Sequence, residues 1–425
     1  MSPRSSGSSS NVGDGTDAKA GLHVDTEGGS FADSVGIVHD WLPVYAGAER
    51  VLEQMIHVYP SASLYSLIDY IEEENRDFLQ DKPVETSFIQ NLPFAEWAYR
   101  YYLPFAPMAI EQFDLTDHEV VVSSSYAVAK GVLTRADQLH VSYVHSPIRY
   151  AWDLYHDSLN RSGRLEGIRG FLARLVLHYI RLYDANTAPR VDAFVANSRH
   201  VAQRIWNTYR RPAHVIYPPV EVDRFSVTED TEDYFLTMSR LVPYKRMDLV
   251  VEAFAEMPDK ELVVIGDGPE YDALEAKAGP NVTLLGYQPD EAVTHYMERA
   301  RAFVFAAEED FGIVPVEAQA CGTPVIAYGC GGVTETVEPG VTGLFFQKQT
   351  IDHLQGAVRE FERIESTLNP EEIRAQAEQF SVSVFRESFA RFMEAAYDDF
   401  TERAPMENGR AAMEAFPPSL QNSVV

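Results

Sequence analysis

Ten residues, Glu308 to Glu317 with the sequence EEDFGIVPVE, set two carboxylates around a chain segment fit to hold an anion. Pro315 lacks an N–H and is tolerated in the first turn of a helix, so the spacing predicts a helix opening at Pro315 after a buried strand over Ala302–Ala306. The amides of Phe311, Gly312, Ile313 and Val314 then point outward without intrahelical partners, and amides in that position bind anions. Glu309 precedes the turn and Glu317 lies inside it, and carboxylates suit the hydroxyls of a sugar or a ribose. Each also has a plainer reading, Glu309 as solvated loop and Glu317 as a first-turn acid that complements its own helix.

A second group of residues is basic. Arg240 follows a strand end, and Lys245 stands just before the helix expected from Arg246. A cation at a helix start opposes the helix dipole, so a lysine there calls for an anion. At ~4 Å and an effective dielectric near 20, such a charge pair is worth about 4 kcal/mol. No two aspartates stand two residues apart, so a D-x-D metal clamp is absent from the sequence, and no metal or other cofactor is expected. Gly47, in a loop that enters a helix, allows close approach of backbone to a phosphate or acceptor, or marks a simple turn. His145 follows a strand in YVHSP and, as a neutral imidazole, could bond a sugar hydroxyl or serve as a structural residue. Gly266, Asp267 and Gly268, before Pro269, make a strand-to-helix turn that fits a nucleotide as well as it fits a structural loop. Lys130, in SSSYAVAKGV, is a candidate for the acceptor side.

The elements that position these residues read as strand-helix units with parallel sheets. Strands are expected near Val35–His39, Val120–Ser123, Val141–Val144, Ala193–Ala196 and His214–Tyr217. A second set is expected at Tyr234–Met238, Leu262–Ile265, Val282–Leu285, Ala302–Ala306 and Pro324–Ala327. Pro218, Pro219 and the polar stretch to Asp233 read as a linker. The expected organisation is a disordered tail over 1–30, a first domain over 31–218 and a second over 219–383. A helix over 384–401 and a second disordered tail over 402–425 complete it. With 425 residues, 45% hydrophobic, the chain can fill two cores. Cys321 and Cys330 have no metal or redox spacing and read as small buried apolar residues.

Charge narrows the partners. Sixty-four acids against 35 bases give a net charge of -29, which repels nucleic acid and anionic membranes in bulk and suits a salt-rich, halophilic cytoplasm. No apolar run reaches the ~20 residues that cross a bilayer, and residues 1–30 lack an apolar signal core, so a cytoplasmic location is expected. One segment reverses the sign: Arg161, Arg164, Arg169, Arg174 and Arg181 are opposed only by Glu166. Arg174, His178 and Arg181 share one helical face, with Leu172, Leu175, Val176 and Tyr179 on another. Together with the aromatic stretch Phe88–Phe113 it is a candidate peripheral contact with the inner face of a membrane, or a set of arginines paired to the protein's own acids.

Glu309 and Glu317 with FG after the first acid, followed by EAQACGTPVIA, resemble the signature of retaining GT-B glycosyltransferases of family 4. SRLVPYKR from Ser239, GDGP from Gly266, NVTLLGY from Asn281, GGVTE from Gly331 and GVTGLFF from Gly340 stand in the family's order. HDWLPVYAGAERVLE from His39, SSSYAVAKGVLT and YVHSPIRYAWDLYH are similar to O-antigen mannosyltransferases within it. The resemblance implies an α/β GT-B fold, two Rossmann-like domains facing across a central cleft, with a last helix returning to the first domain. It implies that Arg240 and Lys245 meet the donor diphosphate, Glu309 and His145 the donor sugar, and Glu317 the ribose. The partners would be a nucleotide-sugar, in the mannosyl case GDP-mannose, and a saccharide or lipid-linked acceptor. A UDP- or ADP-sugar donor and a non-catalytic nucleotide-sugar-binding subunit are the alternatives. Ala46 stands where the family often has a first glycine, which puts the tightness of that turn in question.

Overall fold

The computed structural model describes residues 31–156, 159, 167–228 and 230–403. The two expected tails, Arg161, Arg164 and Glu166 fall outside these residues, except that the described chain runs two residues into the second tail. Two all-parallel sheets form the frame. The first contains β1 (Val35–His39), β2 (Ser63–Ser66), β3 (Val84–Thr86), β4 (Val120–Ser125), β5 (Leu139–Val144), β6 (Ala193–Ala196) and β7 (His214–Val215). The second contains β8 (Tyr234–Met238), β9 (Glu261–Ile265), β10 (Val282–Gly286), β11 (Ala302–Phe305), β12 (Val325–Tyr328) and β13 (Gly343–Phe346). Their orders are β3-β2-β1-β4-β5-β6-β7 and β10-β9-β8-β11-β12-β13. Both are doubly wound, and in each the order reverses between the first strand and the fourth, β1/β4 and β8/β11. Ligands of such sheets bind outside the carboxyl ends of the strands at that reversal.

Apolar residues explain why these strands are central. Every residue of β1, β4 and β5 is buried, including the polar Ser123, Ser124, Ser125, His140 and Ser142, as strands covered by helices on both faces must be. The helix Val382–Arg403 belongs to the first core, where Phe385, Phe389 and Met393 pack with Val35, Ile37 and Val141. The segment after Pro219 is not a free linker. Val220, Val222 and Phe225 are buried in the second core, and Val220 pairs with Ser381, its amide bonding Phe380 O at 2.9 Å. The two passages of the chain between the domains therefore run side by side. Cys321 is buried and Cys330 only partly so, both as free thiols.

Candidate active site

A cleft of about 700 Å³ opens between the carboxyl ends of the two sheets, with walls from both domains. Lys245, Glu309, Phe311, Gly312, Ile313, Val314 and Glu317 form the second domain's wall, and Gly47 and His145 lie on the first domain's. The helix behind the free amides is Ile313–Ala320. It begins two residues before Pro315, which is its third residue and still in the first turn. Gly312 caps it in the left-handed region at φ 89°. None of the amides of residues 311–314 has a hydrogen-bond partner among the described residues.

The corresponding place in the first domain is already filled. Asp40, directly after β1, accepts from the amides of Tyr126, Ala127, Val128 and Ala129 at 2.6 to 2.7 Å. Its carboxylate occupies the amide cluster after β4 and closes it to an anion, whereas the cluster beside β11 presents free donors.

The carboxylates are paired in this state of the cleft. Lys245 Nζ bonds Glu309 Oε1, and Arg50, from the helix Gly47–Val58 of the first domain, reaches Glu317 at 2.7 Å. Glu317 is buried at the fifth position of its helix, beyond the first turn, so it does not cap that helix. Glu309 is held by its backbone: the amide of Gly332 donates to its carbonyl at 2.9 Å. A side chain on Gly331, at φ 82°, would lie 2.4 Å from that carbonyl, so the glycines of GGVTE fix the approach.

Arg240 follows β8, exposed, with no side-chain partner among the described residues, and it is not on the cavity wall. Gly266, Asp267 and Gly268 also lie off the wall. The carbonyl of Asp267 accepts from the Leu241 amide at 2.9 Å, and a side chain on Gly266 would meet Ser239 O at 1.9 Å. This turn supports the loop that carries Arg240 and Lys245. Ala46 has an extended backbone, φ -146° and ψ -160°, a conformation open to any residue, so the missing glycine leaves the turn intact.

His145 is ordered by its surroundings. Its Nε2 lies 2.8 Å from Ser124 Oγ, and burial lowers its pKa to about 3. Lys130 is not on the cleft wall. It is 1% exposed and paired with buried Asp184, because the loop after β4 turns its side chain into the domain. Arg181 donates to Ala151 O at 3.0 Å and stacks on Tyr155, so it is tied to its own domain. Arg169 and Arg174 are exposed on the helix Gly167–Thr187. The apolar face is exposed too, with Phe171, Leu172, Leu175 and Leu182 at 64, 51, 52 and 50%.

Several residues at the cleft were not singled out from the sequence. Arg204 and Arg149 of the first domain meet Asp310 of the second, and Ser198 Oγ donates to Asp310 O at 2.6 Å. Burial raises the Asp310 pKa against the pull of those arginines. Glu335 accepts from the amides of Arg199 and His200 at 2.8 and 2.9 Å. Asp310 and Glu335 lie inside motifs quoted above, and their partners are more than 100 residues away, beyond the reach of local spacing. A second cavity of about 620 Å³ adjoins the cleft and shares Trp41, Tyr99, Tyr126 and Tyr244 with it. Among the described residues no cluster of three or more His, Cys, Asp or Glu could hold a metal ion, and no helix is long and apolar enough to cross a membrane.

Residues 220–380 match the family model described as glycosyl transferases group 1, and residues 46–224 match that of glycosyltransferase family 4. The chain is 34% identical over 201 residues to a GDP-mannose-dependent alpha-(1-6)-phosphatidylinositol monomannoside mannosyltransferase of Mycolicibacterium smegmatis, covering 39% of this chain and 52% of that protein. It is 32% identical over 209 residues to a D-inositol 3-phosphate glycosyltransferase of Geodermatophilus obscurus, covering 41% and 46%. The chain spans about half the length of the curated relatives it matches. Among solved structures, the Anabaena protein HepE in complex with UDP-glucose superposes with a TM-score of 0.63 at 19% identity, over 85% of this chain and all of that one. Sucrose-phosphate synthase from Thermosynechococcus elongatus gives 0.63 at 15% identity, over 86% and 99%. At these identities the likeness is one of fold, two Rossmann-like domains in the GT-B arrangement.

Proposed function

The chain belongs to the glycosyl transferases of group 1 and family 4 across residues 46–380, and on that premise we propose that it moves a hexose from a nucleoside-diphosphate donor onto a saccharide or lipid-linked acceptor. The observation that carries this reading is the row of free amides at 311–314 with Lys245 beside it and carboxylates at either end. The amides and Lys245 meet the diphosphate, and the charge that the leaving group gains is stabilised by donors already in place. Glu317 exchanges Arg50 for the ribose hydroxyls, and Glu309 exchanges Lys245 for hydroxyls of the sugar. The acceptor oxygen attacks the anomeric carbon on the face from which the diphosphate leaves, a diphosphate oxygen takes its proton, and the configuration is retained. No step calls for a metal. The 34% identical mannosyltransferase supports mannose and GDP as the donor parts.

Melting temperature in the presence of GDP, UDP or ADP tests the donor, since a ligand at 100 times its Kd adds about 2.7 kcal/mol. Stabilisation by UDP and not by GDP would overturn the mannosyl reading. With a turned-over nucleotide-sugar in hand, Lys245→Ala should lower turnover by about two decades. Chelator should leave it intact, and loss of activity restored by manganese would reject the metal-free mechanism.

The exposed apolar residues of the helix Gly167–Thr187 beside Arg169 support peripheral contact with an anionic membrane. Changing Leu172 and Leu175 to Ser should reduce flotation with anionic liposomes and leave GDP binding unchanged. Equal flotation would remove this helix from the contact.

A further inference from the structure

Behind His145 a line of buried side chains runs away from the cleft. His145 Nε2 lies 2.8 Å from Ser124 Oγ, the same oxygen lies 3.0 Å from His39 Nδ1, and His39 Nε2 lies 3.3 Å from Glu49 Oε1. His39 and Ser124 are fully buried and Glu49 nearly so. The other Glu49 oxygen accepts from the Ala46 amide at 3.1 Å, so the carboxylate is fixed at both ends. Backbone register keeps the line together: His39 and Ser124 are direct neighbours across β1 and β4, and the His145 amide donates to Ser125 O at 2.9 Å.

The order of donors along this line follows from what each group can do. A carboxylate only accepts, so His39 gives it the Nε2 proton. A singly protonated imidazole then accepts at Nδ1, which obliges the Ser124 hydroxyl to donate there. That hydroxyl has no second proton and accepts from His145, whose proton must sit on Nε2. His145 Nδ1 is left with a lone pair and no partner among the described residues, on a ring that lines the cleft. The rings of Tyr143 and Tyr126 stand 5.2 and 5.9 Å from it and restrict its rotation. A doubly protonated His39 would reverse every bond beyond it and turn Nδ1 into a donor.

We propose that Glu49, His39 and Ser124 are positioning residues that hold His145 in the Nε2–H tautomer, so that Nδ1 accepts a hydrogen bond from a hydroxyl of the donor sugar. The sugar contact rests on the glycosyl-transfer reading above; the tautomer does not. Burial that keeps His145 singly protonated agrees with this role. The arrangement also selects: a hydroxyl can donate to Nδ1, whereas a carboxylate in the same place, as in a uronic acid, can only repel it.

The test uses the full-length, ligand-free protein labelled with ¹⁵N-histidine, with His145 assigned from the signal lost in His145→Gln. Wild type should show Nε2 protonated and Nδ1 unprotonated, and Ser124→Ala should show the two tautomers mixed. A proton on Nδ1 in wild type overturns the proposal, and this spectrum alone decides if the variant does not fold. An unchanged His145 signature in folded Ser124→Ala also overturns it. With a turned-over donor, Ser124→Ala and Glu49→Ala should each lower kcat/KM by about tenfold, the low end of the loss seen when a metal-bound histidine loses its outer partner. Because the spectrum needs no turnover, its failure is distinct from failure of the transferase reading.

Discussion

Lys130 shows how far a single residue can be read from its neighbours in sequence. Its motif pointed to the acceptor, yet its ammonium is closed in with Asp184, which also accepts from Trp152 Nε1 at 2.7 Å and from Tyr209. Asp184 lies 54 positions away, so nothing in the local pattern announces the pair. Removing one member of a buried pair leaves the other charge without its partner, and Lys130→Met should lower stability by about 3 kcal/mol in urea denaturation. A loss under about 1 kcal/mol would mean that the other bonds to Asp184 suffice. His140 gives a pH dependence with a definite sign. It is fully buried between Ser123 Oγ and Arg190 O, and burial lowers its pKa to about 4. The unfolded chain takes up this proton near pH 6.5 and the folded one only near 4. The contribution is therefore complete above pH 6.5 and falls as the solution is acidified, by about 2 kcal/mol at pH 5. His140→Gln should reduce the stability difference between pH 7 and pH 5 by that amount. An equal difference in the variant would assign the acid sensitivity to other groups. That Glu309, Glu317 and Lys245 stand near helix starts was legible, because a helix start is a local property. Their partners were not, since Arg50 is 267 residues from Glu317.

At the scale of elements, apolar and β-branched strands were legible and short polar ones were not. β1, β8 and β11 are nearly continuous apolar runs. β2 reads SLYS and β3 reads VET, and both become strands because a neighbouring strand offers its edge. β13, GLFF, is the exception, an apolar strand of four residues that was not expected and that forms the edge beside β12. The expected strand His214–Tyr217 shrinks to two residues before the prolines end it. The helix Arg199–Tyr209 carries a feature no propensity scale would show. Ser198 caps it from within, accepting from the Val201 amide at 3.0 Å, and Glu335 of the other domain accepts its first two amides. A negative charge there also complements the helix dipole. Glu335→Ala should lower stability by about 1 kcal/mol, the scale of a lost cap, and increase the radius of gyration as the domains part. A variant with the scattering profile of wild type would show that Glu335 caps the helix without holding the cleft closed.

Over the whole molecule, composition speaks to solvent and to neighbours more than to fold. A net charge of -29 on one chain is self-repulsive, and added ions screen exposed charges beyond about 8 Å at physiological strength. Melting temperature should rise from dilute buffer to molar potassium chloride, and a flat or falling curve would make the acidic surface an ordinary one. The two-sheet architecture was legible because strands and helices alternate twice with a proline-rich break between. What the break did not reveal is that the chain crosses between domains twice, with Val220 against Ser381. The described chain begins and finishes on the same domain, where the ring of Phe31 lies 4.4 Å from that of Tyr397. This has a consequence for synthesis on the ribosome. The first domain emerges first but lacks Phe385, Phe389 and Met393 until the whole second domain, from Pro219 to Phe380, has been translated, at about 5–20 residues per second. For that interval its nascent core is open on one side while the second domain, contiguous in sequence, is being made, and that domain has all of its core once Phe380 is in place, just before Phe385 arrives. The domain made first is therefore the one completed last.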